Sequence, residues 1–179
     1  KFGAVMNLDL AGIPLIDRPD FESLYGQGVF DPYSSYALDM YTNGYCKVSL
    51  KSVEFDGLCV SAKRQLAEVF AEDLELWQLG KGPPPRLQDG WKTAVEVKQA
   101  AVNTLILSIL TTLYGRSPFP FQTLNFPVGS QQAFHSDALH FHCYPHGFMC
   151  GVWIAFEDVA ADSGPLIYYP GSHRLPYLS

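Results

Sequence analysis

Between Ser61 and Gly80 the apolar residues fall three and four positions apart, at Leu66, Phe70, Leu74 and Trp77. That spacing gathers them on one face of a helix. It predicts a helix over Ala62 to Gln78, with the Ser61 hydroxyl as the N-terminal cap and Gly80 as the left-handed stop. A second stripe, Val102, Ile106, Ile109 and Leu113, predicts a helix over Thr93 to Tyr114 that ends at Gly115. Between the two, Gly82-Pro83-Pro84-Pro85 can neither continue a helix nor join a central strand, so residues 80–90 should be a loop.

Before these helices, residues 1–45 are punctuated by turn signals at Gly12, Pro14, Pro19, Gly26, Gly28 and Pro32, and irregular structure with short helices is expected. Tyr25, Tyr33, Tyr36 and Tyr41 in this part are expected to cover apolar surface of the main body rather than line a pocket. Val48 and Leu50 alternate with Lys47, Ser49 and Lys51, the pattern of a half-buried edge strand.

After Pro118-Phe119-Pro120 the period changes to two. Leu124 and Phe126 would face a core and Thr123 and Asn125 the other side. Strand runs are predicted at Phe121 to Phe126, Ala138 to Cys143, Phe148 to Phe156 and Leu166 to Tyr169, the last following a turn at Asp162-Ser163-Gly164-Pro165. Two helices ahead of a block of strands give an α+β class, a helical layer packed on a sheet or barrel. With no linker or repeat in view, residues 1–179 are expected to form one domain. It would hold an irregular segment and edge strand (1–60), a helical layer (61–115) and a strand block (118–179).

Apolar residues at 47% and charged residues at 17% suit a globular chain with a real core. A net charge of −6 with no basic run argues against nucleic acid as partner. The cysteines, Cys46, Cys59, Cys143 and Cys150, include no C-x-x-C pair, and no run is long enough to span a bilayer, so free thiols, no membrane partner and a cytoplasmic location are expected. The chain begins with Lys1 and ends on Leu175-Pro176-Tyr177-Leu178-Ser179, which reads as cut at both ends.

The candidate chemistry is His135-Ser136-Asp137. On extended backbone a spacing of two puts an imidazole and a carboxylate on one face. Completed by a second imidazole from elsewhere, such a pair makes the facial triad of non-heme Fe(II) oxygenases. Standing alone, the triplet reads sooner as a solvated polar pair at a strand end. Nearby, His140 and His142 would share a strand face, with His146, Cys143 and Cys150 close by. A zinc site at His140, His142 and Cys143 is a second reading, and structural histidines with a core Cys150 a third.

Four stretches in order, LYGRSPFPFQTLNF (113–126), HSD (135–137), MCGVWIAFEDV (149–159) and DSGPLIYYPGSHR (162–174), resemble the phytanoyl-CoA dioxygenase family of Fe(II)/2-oxoglutarate-dependent oxygenases. The resemblance implies a double-stranded β-helix, a jelly-roll or cupin-like barrel of eight strands, of which this chain would hold the N-terminal part with helices on one side. It implies Fe(II) held by His135 and Asp137, and 2-oxoglutarate beside Gln122 and Trp153. The chemistry implied is hydroxylation of a small organic substrate by molecular oxygen, since the halogenating relatives lack the carboxylate that Asp137 supplies. The family's third ligand and its co-substrate Arg lie farther along than His173 and Arg174, which sit in the PGSHR turn. The chain is therefore expected to end before them and to turn over weakly or not at all by itself. The alternative is a non-catalytic jelly-roll module. Substrate and oligomeric state stay open.

Overall fold

A computed structural model describes residues 12–137, 140–141 and 143–175. Among them the chain forms five α-helices, α1 (Phe21–Gly26), α2 (Ser34–Asn43), α3 (Val53–Gln78), α4 (Val95–Ala101) and α5 (Thr104–Tyr114). Two short strands, β1 (Leu87–Gln88) and β2 (Leu124–Asn125), and 3-10 turns at Leu15–Asp17, Gly90–Lys92 and Ser172–Arg174 complete the order.

α3 buries Leu66 and Phe70 from the predicted stripe, but it starts at Val53 rather than Ala62. Its cap is Ser52, whose hydroxyl accepts from the Phe55 amide at 3.1 Å, with Glu54 and Asp56 favourably placed in the first turn. Ser61 lies inside the helix and donates instead to Glu96 Oε1 at 2.7 Å. The helix predicted over Thr93 to Tyr114 is two helices. Asn103 interrupts it, its Oδ1 accepting from the amides of Leu105 and Ile106 at 3.1 and 3.2 Å to start α5. Gly115 ends α5 in the left-handed region as expected, with φ 69°.

Two apolar clusters form. The first joins Ile16, Phe21, Phe30, Ala37, Ile109 and Leu113, and the four tyrosines of the N-terminal part pack against it, as expected of surface cover. Phe21 and Tyr41 stack with ring centres 3.9 Å apart. The second cluster joins Leu66, Phe70, Ala94 and Val97, with Trp91 and Phe156 at its edge.

The strand block departs from expectation. Among the described residues one ladder forms, β1 antiparallel to β2, pairing Leu87 with Asn125 and Gln88 with Leu124. The predicted run Phe121 to Phe126 shrinks to two residues. Residues 45–51, 148–156 and 166–169 are not strands, and the run Ala138 to Cys143 falls partly outside the described residues. Among the described residues the fold is thus mostly helical, and the half jelly roll does not appear. A strand needs a neighbour for its amides and carbonyls and cover for its faces. Neither is supplied here: Val152, Trp153, Leu166 and Ile167 stay 48–62% exposed.

Those stretches are held by other means. Lys63 of α3 pairs with Glu157 at 3.0 Å. The turn at Gly171 closes on the end of α2, where the Gly171 amide donates to Asn43 O at 2.8 Å and Arg174 Nη2 donates to Tyr41 O at 2.7 Å. His173 Nε2 lies 3.2 Å from the same Tyr41 oxygen. All four cysteines are unpaired. No described helix is long and apolar enough to cross a membrane.

Candidate metal site

His135 and Asp137 lie in irregular chain after β2, and the structure brings them together, with His135 Nε2 3.4 Å from Asp137 Oδ1. Flanking aromatics fix the segment at both ends. Phe134 packs on Tyr169 with ring centres 4.9 Å apart, and Phe141 meets Phe121 edge-on at 5.7 Å. Past the pair the chain turns sharply, the Asp137 carbonyl accepting from the amides of His140 and Phe141, both at 2.9 Å. His140 is therefore in a turn and not on a strand face. Its ring meets that of His135 edge-on, with centres 5.5 Å apart.

The far side of the His135 ring sets its chemistry. Nδ1 lies 2.7 Å from the carbonyl oxygen of Ala133, and a carbonyl can only accept, so Nδ1 carries hydrogen. In the neutral ring Nε2 then presents a lone pair toward Asp137. Two acceptors facing each other at 3.4 Å are open to a shared donor, whether a water, a proton on Nε2 or a metal ion. Two ligands in adjacent positions at ~2.1 Å from one ion stand ~3 Å apart, so the pair suits an ion without rebuilding. Close approach of the chain behind the carboxylate is allowed by Gly151, where a Cβ would sit 3.2 Å from Asp137 Oδ2. Both side chains are open to solvent, 32% exposed for His135 and 54% for Asp137.

As placed, no three His, Cys, Asp or Glu side chains among the described residues converge on one point. Of the residues read as a zinc site, His142 lies outside the described residues, and His140 belongs beside His135. Cys143, the third residue of that reading, is half-buried and unpaired, and Cys150, read as a core residue, has its thiol pushed up by burial. Cys46 is likewise pushed up to about 11, mainly by burial. His173 is committed to the end of α2.

Gln122 is half-buried just before β2, and Trp153, 52% exposed, stands in the irregular stretch two residues beyond Gly151. Among the described contacts neither is hydrogen-bonded or ring-packed to His135 or Asp137. A cavity of about 320 Å³ opens elsewhere, between Leu15, Tyr114, Arg116 and Phe148. Sequence reasoning missed the Ala133 carbonyl that orients His135, which no side-chain pattern encodes. It also missed the approach of His140, whose signal is the spacing H-x-D-x-x-H.

A sequence model of the family described as Phytanoyl-CoA dioxygenase (PhyH) matches residues 63–178. The chain is similar to phytanoyl-CoA dioxygenase domain-containing protein 1 of Danio rerio, 39% identical over 47 residues, which are 26% of this chain and 16% of that protein. It is similar to the protein of the same name from Rattus norvegicus, 36% identical over 75 residues, 42% of this chain and 24% of that one. The matched parts thus span less than a quarter of these relatives. No solved structure matches the chain.

Proposed function

The chain belongs to the phytanoyl-CoA dioxygenase family, and on that premise we propose that it carries two protein ligands, His135 and Asp137, of an Fe(II)- and 2-oxoglutarate-dependent dioxygenase that hydroxylates a small organic molecule. The observation that carries this reading is the facing of His135 Nε2 and Asp137 Oδ1 at 3.4 Å, with the opposite ring nitrogen tied to Ala133. Bound Fe(II), with 2-oxoglutarate as co-substrate, would supply the oxidising chemistry that activates molecular oxygen for insertion into a C–H bond.

The chain's own part is to aim and hold. Ala133 fixes the tautomer and direction of His135. Gly151 leaves room for the Asp137 carboxylate. Phe134 on Tyr169 and Phe121 on Phe141 pin the segment that carries both. Trp153 and Gln122 are proposed to flank the co-substrate, on the family resemblance of their positions.

Anaerobic addition of Fe(II) and 2-oxoglutarate to the protein tests this reading. It should give a weak visible charge-transfer band that is lost in both His135→Ala and Asp137→Ala. A band of undiminished strength in both variants would remove the two residues from the site.

A further inference from the structure

We propose that the cavity between Leu15, Arg116 and Phe148 is a binding site for a small monocarboxylate with an apolar body, an aryl or short acyl carboxylate. It does not rest on the iron reading of His135 and Asp137.

Segments far apart in the sequence build it. Ile13, Leu15 and Arg18 come from the first 3-10 turn and its flanks, Tyr114 to Arg116 from the end of α5, and Phe148 from the chain just after a turn at residues 144–147, around a volume of about 320 Å³. That space suits a ligand of roughly ten non-hydrogen atoms. Gly115 lets one wall close, since its φ is 69° and a Cβ there would lie 2.9 Å from Leu15 Cγ. Gly147, at φ 89°, brings the chain ahead of Phe148 against Pro14, where a Cβ would stand 3.3 Å from the ring. These contacts fix the walls before a ligand arrives.

The lining is apolar at Ile13, Leu15 and Phe148 and carries two guanidinium groups. Arg18 gives Nε and Nη2 to the two oxygens of Asp20 at 2.8 and 2.6 Å. That grip sets the plane of the group, uses one edge of it and leaves Nη1 for a second acceptor. Arg116 lies over the Phe148 ring, 4.1 Å from its centre. A cation meets a ring through its charge, so this contact holds the group at the wall and consumes none of its N–H donors.

Selectivity follows from the same residues. A carboxylate matches guanidinium donors, and an apolar body covers Ile13, Leu15 and Phe148. Asp20 already balances the charge of Arg18, so a second carboxylate on the ligand would meet a neutral pair and apolar walls.

Phenylacetate is a suitable probe, titrated into metal-free protein while the amide resonances of Gly115 and Phe148 are followed by NMR. Both should shift saturably at millimolar phenylacetate. Phenylacetamide, its neutral analogue, and succinate should each bind at least tenfold more weakly. Arg116→Gln should weaken phenylacetate at least tenfold, Ile13→Trp should fill the cavity and abolish saturation, and His135→Ala should change nothing. Circular dichroism checks each fold, and if Arg116→Gln loses its own, Ile13→Trp decides. Equal binding of phenylacetamide or succinate would overturn the ligand class. Undiminished binding in either folded variant, or no saturation in the wild type, would overturn the site. Shifts confined to residues 133–137 and lost in His135→Ala would also overturn it, while leaving the iron reading standing.

Discussion

Arg174 donates from Nη2 to the main-chain oxygen of Tyr41 at 2.7 Å, joining residues 133 positions apart in sequence. The oxygen belongs to the last turn of α2, where carbonyls lack helical partners and a positive charge is favoured. The guanidinium also lies over the Tyr41 ring, 5.1 Å from its centre. Arg174→Met keeps most of the stem and removes the donors. It should cost about 1 kcal/mol in urea unfolding and speed amide exchange in the last turn of α2. No change in either would show the contact to be energetically idle.

Gly44 makes the same junction possible. Its φ is 82°, and a Cβ there would run into the His173 ring and the Tyr168 hydroxyl. Gly80 has a similar φ of 69° with open space around it. Gly80→Ala should therefore cost only the left-handed strain, about 1 kcal/mol, and Gly44→Ala clearly more, since it also displaces the Tyr168 to Arg174 segment. Paired melting curves decide it, and equal losses would mean that the packing is loose enough to yield.

Asp17 sits beside this junction, and burial pushes its carboxyl above the ordinary 3.8, with His173 pulling the other way more weakly. Between 3.8 and the raised value the folded chain holds a proton that the unfolded chain has released. Stability contributed by this group is then full below 3.8 and falls as pH rises through the folded value. Asp17→Asn should melt higher than wild type at pH 7, with the gap closing below pH 3.8. A gap that widened toward low pH would reverse the assignment.

The stripe of α3 was legible because Leu66 and Phe70 are buried by it. Its first turns were not, since Val53 and Val60 are 86% and 67% exposed and a cap, not burial, starts the helix there. Likewise the apolar stripe ran unbroken through Asn103, whose side chain nonetheless divides the helix, and Val102, 42% exposed, is no part of it. Alternation at 121–126 and the apolar runs at 148–156 and 166–169 announce strands, yet alternation specifies only a face, and a ladder also needs a neighbour. At the site, the spacing of His135 and Asp137 was readable as a pair. His140 was assigned to a strand face with His142, and the bonds to the Asp137 carbonyl place it in a turn instead.

The two apolar clusters have no side chain in common: one is built on α1, α2 and α5, the other on α3 and α4. Loss of order in one therefore removes few of the buried contacts of the other. Amide exchange should then open α3 and α4 separately from the tyrosine-clad cluster, to which Arg174 is fastened through Tyr41.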